Sequence, residues 1–598
     1  MSKNFKNNLR LNLNPGEMAK HSMNAIYSTF YRFPLTILLF LVIAAIFVYR
    51  IETPYDQIRD IDEILNRVIA VLLLGVPFTL SISLLFERVG KTFSNIVKVG
   101  VWLGDILVIF LYYQFLLPNT DMVPMVRLIL LAFALVLCFI CIPYFYEKEN
   151  FEIYVNKIII RLIISCFFTV VLALGLMAIL FAIENLLYSD MNENLYIYTW
   201  IFGWFVFAPV YFLYGLPGNR NNYEKEDYNK VLKVLLAYIV LPIISVYTIV
   251  LYLYFAKILI TRVFPKGIVS YLVVSYAGVG IATVFLVWPL RSINKWVRIF
   301  TEIYTKLIFL LLIMMFVSIG IRIGEFGYTE NRYFILIIGL WATSAMIFIN
   351  INKGKNNIML FISLAIVSVI SVVGPMSAFD VSQRSQNKRF YKMLSKYDML
   401  DNNIVVNKNL NIIDEDKKEI SGIISYFDNN HELSDLKYLP DDFTRGNMKE
   451  TFGFDEYYEK GGVNLSYFNF RSDEKPIEVT GYNILFRFNK YNDTLTQKIE
   501  NEEGSLKVIV NEENILSLSK DGEDLYTYDL KEHIKGLYKK YGTSEKRVTI
   551  PLQELTIYNG NEKADVKIVF TGIDGSRGVA EDELNANFIQ GYMLVKFK

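Results

Sequence analysis

Cysteine and histidine are scarce in this sequence, which contains three residues of each among 598. All three cysteines fall inside long apolar runs, so no disulfide framework is possible beyond residue 166. Cys138 and Cys141 have the CxxC spacing, but thiols within LVLCFICIPYF are more often packing residues than metal ligands. The histidines are too scattered to indicate a zinc site, and the sequence predicts no metal site and no cofactor.

The sequence also lacks a surplus of charge of one sign, since its formal net charge is +1 at pH 7. Binding to nucleic acid needs a concentrated basic surface, so we predict no nucleic-acid partner. The net charge near zero is the sum of a basic N-terminal part and an acidic C-terminal part. Residues 1–376 hold roughly 30 Lys and Arg against roughly 21 Asp and Glu, whereas residues 377–598 hold roughly 30 against roughly 38.

Apolar residues are present in excess. The sequence is 53% hydrophobic and 15% aromatic, with a mean hydropathy of +0.33, which exceeds the composition of a soluble globular protein. Roughly 20 apolar residues in a helix cross a hydrocarbon core about 30 Å thick. We therefore predict a cytoplasmic N-terminal segment, 1–33, and a membrane domain in the lipid bilayer, 34–376, with about 11 transmembrane helices. The apolar runs are 34–49, 65–86, 99–117, 123–145, 158–187, 195–216, 231–260, 268–290, 307–321, 333–351 and 358–373.

The last apolar run stops at a Gly-Pro pair, which cannot continue a helix, within GPMSAFDVSQRSQNKRF at residues 374–390. We expect the chain to leave the lipid here. Asp380, Arg384 and Arg389 are the candidate residues of this junction.

Residues 377–598 have the pattern of a soluble α+β domain. Helical composition at 383–400 and 415–428 gives way to an apolar period of two from residue 477 onward. Turn-forming connectors at 511–514, 520–522 and 574–575 predict antiparallel hairpins, and one amphipathic helix is predicted at 531–541. The predicted strands are 482–488, 506–510, 515–518, 525–530, 548–552, 555–558, 566–573 and 588–597.

The orientation in the membrane follows from the connectors, because Lys and Arg are retained on the cytoplasmic side of short loops. With the N-terminus inside, the inner segments hold about 21 basic residues and the outer segments about nine. Eleven spans then place residues 377–598 on the extracytoplasmic side of a multi-pass protein of the cell membrane. An error of one span reverses that side, and the runs 307–321 and 358–373 are the shortest.

Asp105 lies inside the apolar run VWLGDILVIF, with no cation beside it in the sequence. An ionisable group at membrane depth is costly and usually faces a cavity or a partner, so Asp105 is the leading candidate for a buried functional acid. The alternative is that Asp105 is wetted at the cytoplasmic end of its helix or paired with Lys98 or Arg88.

The densest polar group of the membrane domain is RIGEFGYTENR, in an outer loop. Its two cations and two carboxylates have the chemistry to bind a zwitterion, or to form an interfacial cluster of ion pairs that clamps one helix end onto another. The candidate binding residues are Arg322, Glu325, Glu330 and Arg332.

Three stretches carry a resemblance to a known family: RIGEFGYTENRYFILIIGLW, YIVLPIISVYTIVLYLYFAKILI and GPMSAFDVSQRSQNKRF. They resemble the bacterial membrane proteins grouped as domain of unknown function 4153 (DUF4153), over most of the chain. The resemblance implies a multispanning bacterial membrane protein with a C-terminal extramembrane domain. It supplies no activity, cofactor or catalytic residue.

The sequence leaves three functions open. Residues 377–598 contain no GxSxG, HExxH, Walker or dinucleotide-binding motif, and no catalytic residue is predicted. We favour transport, or the handling of a lipid or small solute, because this is common among multispanning proteins, an argument by association. The alternatives are a non-catalytic envelope sensor or scaffold, whose outer domain binds another envelope protein or lipid, and a membrane-embedded enzyme.

Overall fold

The computed structural model describes residues 15–59, 61–89, 94–145, 150–187, 191–217, 228–261, 268–408, 412–457, 466–473, 475–491, 495–501, 504–511, 513–541, 548–577 and 584–598. The chain forms two compact units, Met1–Asn387 and Lys388–Lys598.

The first unit is helical throughout its described part. Ten of its helices, α2 to α11, are long and apolar enough to cross a membrane, and α12 is an apolar helix of 13 residues. The prediction of a multispanning α-helical membrane domain is confirmed. The helices are α1 Pro15–Arg32, α2 Pro34–Glu52, α3 Asp62–Val89, α4 Asn95–Phe115, α5 Met122–Cys141, α6 Phe151–Leu186, α7 Asn194–Tyr214, α8 Lys230–Thr261, α9 Ile268–Val287, α10 Lys295–Phe326, α11 Glu330–Asn352, α12 Ile358–Ile370 and α13 Ala378–Lys396, with a five-residue helix Tyr55–Arg59 left unnumbered.

Helix α10 is much longer than the apolar run 307–321 that predicts it. Its 32 residues begin after Asn294, whose side chain accepts hydrogen bonds from the backbone nitrogens of Trp296 and Val297. Charged residues near its start, such as Glu302 and Lys306, occupy exposed positions, so they do not interrupt its packing. An apolar run therefore marks only the most hydrophobic part of this helix.

Two of the prolines inside the spans, Pro209 and Pro242, follow departures from α-helical geometry. A π-helical turn, Gly203–Phe207, ends two residues before Pro209 in α7, and another, Leu235–Val240, ends two residues before Pro242 in α8. Proline has no N–H and its ring crowds the carbonyl four residues earlier, which a widened turn relieves. Pro77 lies inside α3 without such a turn.

Helix α12 runs antiparallel along α5. Arg127, near the start of α5, donates from Nε to the carbonyl of Val372 at 3.3 Å, and Ala134 and Leu137 pack against Ala365 near the middle of α12. At the other end, Asn357 bonds to Glu152 at the beginning of α6. Helix α12 and the three residues that follow it therefore extend beside most of the length of the 20-residue helix α5.

Tyrosine hydroxyls lie between α8, α9 and α10 in the core of the first unit. Tyr304, which is 2% exposed, donates to the carbonyl of Tyr276 at 3.3 Å, and the Tyr276 hydroxyl is 2.5 Å from Thr248 Oγ1. Gly280 makes room for Tyr304, since a Cβ on Gly280 would lie 1.6 Å from the Tyr304 hydroxyl oxygen. Helices α9 and α10 can approach closely only because position 280 has no side chain.

Replacing Gly280 with alanine should destabilise the first unit by about 1–3 kcal/mol, the usual cost of overpacking. Gly278→Ala is the matched control, because a Cβ there has nothing within 4 Å and alanine favours a helix. All six tryptophans precede residue 388, so tryptophan fluorescence during thermal unfolding reports on this unit. Equal melting temperatures for the two variants would contradict the close contact.

The N-terminal part of the second unit is a helical cluster. It contains the end of α13, helix α14 Asp414–Asn430, a short helix Met448–Phe452 and the two-residue strands β1 Leu400–Asp401 and β2 Ile404–Val405. The rings of Phe390 and Phe452 meet at 6.2 Å, and Phe427 is fully buried beside Ile420 and Ile424. The predicted helix face of Ile420, Ile423, Ile424 and Phe427 is confirmed as core.

Asp416 ties α14 to the end of α13. Its carboxylate accepts hydrogen bonds from Lys396 Nζ and, at 2.5 Å, from the Tyr397 hydroxyl. Burial raises the pKa of Asp416, but these hydrogen bonds and the Lys396 charge outweigh burial, so the pKa lies below its ordinary value. A carboxyl whose pKa is lower in the folded state adds stability above its unfolded pKa, and this stability is lost as the pH falls through the folded pKa.

Asp416→Asn should therefore lower the free energy of unfolding of the second unit by about 1.5–3 kcal/mol at neutral pH, the value of hydrogen bonds to a charged group. In acid below the ordinary aspartate range, wild type and variant should converge. Limited proteolysis of α14 during urea unfolding, at neutral and acid pH, measures both values. A difference that is the same at both pH values would contradict the role of the charge.

The rest of the second unit consists of two sheets and one helix around a shared core. The six-stranded sheet has the order β4-β12-β11-β3-β9 with β10 also on β11, and the four-stranded sheet is the meander β5-β6-β7-β8. Both sheets and α15 Lys531–Tyr541 contribute buried apolar side chains to one cluster. The strands are β3 Ser466–Ser472, β4 Ile484–Tyr491, β5 Leu495–Asn501, β6 Gly504–Val510, β7 Ile515–Lys520, β8 Glu523–Asp529, β9 Val548–Ile550, β10 Thr556–Gly560, β11 Ala564–Arg577 and β12 Leu584–Phe597.

The predicted α+β domain rich in antiparallel strands is confirmed, with three corrections. Strands β3 and β5 are not among the predicted ones, and β3 pairs with β9 in parallel. Asp574 and Gly575 are not a turn: they lie inside β11, where the pairing with β12 shifts register between them. A β-bulge accommodates the flexible residues that look like a turn in the sequence.

Candidate functional site

Asp105 lies on the inward face of a helix that is otherwise largely exposed. In α4 the buried and half-buried positions Val101, Asp105, Ile109 and Tyr112 recur every three or four residues, and this stripe packs on α3. Asp105 is 5% exposed. Within the described chain it forms no hydrogen bond and no ion pair.

The register between α3 and α4 places Asp105 level with Thr79. Arg67 Nε donates to the carbonyl of Leu117 at 2.8 Å, and a Cβ on Gly75 would lie 2.8 Å from Ile109 Cδ1, so the two antiparallel helices are in close contact. One helical turn beyond Gly75 is Thr79, whose hydroxyl is 2.9 Å from that of Thr36 on α2. Asp105 therefore occupies a layer that also contains buried hydroxyls.

Helix α3 has further polar groups, a backbone carbonyl without its helical donor and two serine hydroxyls, close to the level of Asp105 and Thr79. Pro77 has no N–H, which leaves the carbonyl of Leu73 without its helical donor. The hydroxyls of Ser81 and Ser83 donate to the carbonyls of Pro77 and Thr79 at 2.7 and 2.9 Å. Polar groups thus lie on two faces of α3 within two turns: Thr79 faces Thr36 on α2, and Ser81 lies 3.4 Å from the carbonyl of Leu135 on α5.

Neither of the two cations considered as partners of Asp105 pairs with it. Arg88 donates to the carbonyl of Pro143, and Lys98 lies 5.9 Å from the centre of the Tyr31 ring. The negative charge of Asp105 is therefore not neutralised by the described part of the chain.

The four candidate binding residues at the ends of α10 and α11 have different contacts. Arg332 donates to the carbonyls of Phe326 and Gly327 at 3.0 and 2.8 Å and so caps the end of α10. Glu330 is 3% exposed in the first turn of α11. Arg322 and Glu325, in the last turns of α10, form no hydrogen bond or ion pair within the described chain.

Two residues in the third turn of α13 bind the backbone of the loop between α10 and α11. Gln386 donates to the carbonyls of Phe326 and Tyr328 at 3.1 and 2.6 Å, and Ser385 accepts from the Tyr328 backbone nitrogen at 2.9 Å. The geometry of Arg332 and Gln386 is that of a clamp between helix ends.

The junction residues are used for backbone capping and for one ion pair. Ser377 donates to Asp380 at 2.5 Å and accepts from the Asp380 backbone nitrogen, which fixes the start of α13. Arg384 donates to the carbonyls of Asp380 and Pro375. In the second unit, Arg389 pairs with Glu419 at 2.8 Å.

A second buried carboxylate, Glu152, is absent from the sequence-based candidates. The sequence predicts the fifth span from residue 158, but α6 begins at Phe151 and its first six residues are all buried. Glu152 is 7% exposed and accepts a hydrogen bond from Asn357 Nδ2. The two residues are 205 positions apart in the chain, so no local pattern indicates their contact.

The fold and these buried polar positions define a polytopic α-helical membrane protein with a strand-rich second unit. The family model described as "Domain of unknown function (DUF4153)" matches residues 27–407, which is more than half of the chain, and the chain belongs to this family. It is similar to "Uncharacterized protein PM1469" of Pasteurella multocida strain Pm70, with 24% identity over 471 residues that cover 75% of this chain and 78% of that protein. No solved structure matches the chain.

Proposed function

We propose that the membrane unit transports, or handles within the membrane, a small solute or lipid, and that Asp105 binds a positively charged part of that molecule. The observation that carries this proposal is a carboxylate 5% exposed, without a partner in the described chain, on a helix whose other faces are largely exposed. Asp105→Asn is the variant that tests it.

The energetic argument is that a structural role would not require a carboxylate at position 105. Ionisable groups inside the membrane are costly, and those that are retained usually belong to ion, proton or substrate pathways. Leucine or asparagine would fill the same position on α4 at a lower cost. The hydroxyls of Thr36 and Thr79 give a bound molecule further polar contacts in the same layer.

We further propose that the N-terminus is cytoplasmic and that the second unit is extracytoplasmic. The excess of basic residues in the inner connectors supports the N-terminal side. The antiparallel packing of α12 on α5 supports an eleventh crossing, because α12 begins level with the start of α6 and Val372 lies beside Arg127. Tyr333 supports the same count, since its hydroxyl at the start of α11 donates to the carbonyl of Met376 at 2.5 Å.

Single cysteines introduced into a cysteine-free protein test this orientation. Ser434 of the second unit and Ser292 after α9 are both exposed serines, so the two substitutions are closely matched. In intact cells, a membrane-impermeant thiol reagent should label Ser434→Cys, and it should label Ser292→Cys only after the membrane is permeabilised. The reverse pattern would place the second unit in the cytoplasm.

A binding module of the envelope is the second candidate, and a cavity in the second unit favours it. The cavity has a volume of about 460 Å³ and is lined by residues that include Arg471, Gln590 and Tyr592. Thr571 also lines the cavity. It lies at the register shift between Phe570 and Gly572 of β11, where it has no paired position on β12. This candidate predicts that Tyr592→Ala abolishes function and that Asp105→Asn preserves it.

A membrane-embedded enzyme has no comparable observation in its favour.

A further inference from the structure

Three buried polar side chains lie at or beside the beginning of α6. Glu152 and Asn156 are four residues apart, so they lie on one face of the helix, one turn above the other. Asn357, the residue before α12, contacts Glu152 through Nδ2. Glu152, Asn156 and Asn357 are 7%, 2% and 3% exposed, so water has almost no access to them.

Two amide oxygens in this group lack a donor. Asn156 uses Nδ2 to donate to the carbonyl of Leu286 at 3.4 Å, and Asn357 uses Nδ2 on Glu152. The Oδ1 atoms of both residues are enclosed and accept no hydrogen bond within the described chain. Buried acceptors are nearly always satisfied in folded proteins, so two in one group indicate a missing positive or donating species.

The carboxylate of Glu152 also lacks a counter-charge. No Lys or Arg of the described chain forms an ion pair with it, and its side-chain partner is the neutral amide of Asn357. A buried carboxylate is stable when it is paired, protonated or bound to a metal ion. The carboxylate of Glu152 therefore lacks a positive charge, and the two amide oxygens lack a hydrogen-bond donor or a cation.

We propose that Glu152, Asn156 and Asn357 bind a monovalent metal cation of the sodium type. Hard cations take carboxylate and amide oxygens as ligands, and these three side chains supply four such atoms. A single carboxylate is neutralised by a single positive charge, which favours a monovalent ion over a divalent one. The proposal concerns binding at α6 and does not depend on Asp105 or on transport.

The surrounding packing is rigid enough to hold such a site. The ring of Phe151, next to Glu152, lies 5.8 and 5.3 Å from the rings of Phe285 and Phe361, which joins the start of α6 to α9 and α12. Gly354, with φ of +78°, presses against the indole of Trp288 and so fixes the loop that presents Asn357. Rigid surroundings are what a metal site needs to keep its ligands in place.

The test is thermal unfolding of the purified full-length protein in sodium chloride and in choline chloride at equal ionic strength. We expect a saturable rise of the melting temperature with Na⁺ and none with choline, since a ligand of the folded state stabilises it. In Glu152→Gln the apparent affinity for Na⁺ should fall at least about tenfold. Glu184→Gln, at the far end of α6, where the carboxylate accepts from Tyr196, should respond as wild type.

Binding of radioactive sodium to the wild-type protein gives a second measurement that does not depend on the folding of any variant. Saturable binding to the wild type supports the site, and Asn156→Ala, in preparations that remain folded, should weaken it. The proposal is overturned if wild type binds no sodium, or if Glu152→Gln is stabilised by Na⁺ as strongly as wild type. It is also overturned if only Ca²⁺ stabilises the protein, or if acid alone does so, because Glu152 would then hold a divalent ion or a proton.

Discussion

Asp105→Asn should abolish the function of the protein while leaving its amount in the membrane unchanged. Asparagine keeps the size of the side chain and removes the charge, so the packing of α4 on α3 is retained. A hydrogen bond to a charged group is worth roughly 1.5–3 kcal/mol, which corresponds to binding weakened about 10- to 100-fold. The measurement is the growth of a bacterial strain that lacks its own copy of the protein and expresses either form.

Tyr112→Phe is the matched control for this prediction. Tyr112 lies two turns further along the same buried stripe of α4, and its hydroxyl is enclosed without a hydrogen-bond partner in the described chain. Removing that hydroxyl should leave function intact. If Asp105→Asn supports growth as well as wild type does, Asp105 has no functional role and the transport proposal loses its central residue.

Gly354→Ala should destabilise the membrane unit by about 2–5 kcal/mol. Its φ of +78° is in the left-handed region, where a residue with a Cβ pays roughly 1–2 kcal/mol. A Cβ would also lie 1.7 Å from Trp288 Nε1, so the indole must move, and overpacking costs about 1–3 kcal/mol more. The melting temperature, followed by tryptophan fluorescence, should fall clearly.

Gly374→Ala separates the two contributions to this effect. Gly374 has a similar φ of +80°, but nothing lies within 4 Å of its Cβ position. The alanine variant should therefore show only the smaller, conformational cost. Equal losses at the two positions would mean that the contact between Gly354 and Trp288 contributes nothing to stability.

The helices of the membrane unit could be predicted because long apolar runs have few alternative structures in lipid. Their ends could not, because packing decides how far a helix continues beyond its apolar part. Helix α10 includes charged residues at exposed positions, and α6 starts seven residues before its apolar run because Phe151 and Glu152 are buried by distant segments.

In the second unit, β5 was not predicted because its sequence, LTQKIEN, is mostly polar. Polar residues are common in a strand at the edge of a sheet, where β5 lies. Strand β3 escaped because its partners are far away in the sequence: it pairs with β9 and with β11. The hairpins β6–β7 and β7–β8 were predicted, since their turns are short and contain Asn, Asp and Gly.

Some residues of the candidate sites could be predicted from the sequence, and others could not. Asp105 is visible in the sequence because a charge inside an apolar run is conspicuous. Glu152 is not, because it lies in what looks like a connector, and Asn357, its partner, lies after the tenth span. Arg332 was predicted only as one member of a charged cluster, whereas its contacts with the end of α10 depend on how the loop folds.

Mass spectrometry of the solutes and lipids that copurify with the full-length protein tests the central claim most directly. Wild type and Asp105→Asn would be purified in parallel and compared with the bulk membrane. The proposal predicts that wild type is enriched in a molecule with a positively charged group, and that this molecule is about 10- to 100-fold depleted in the variant. The same molecules in the same amounts in both preparations would contradict it.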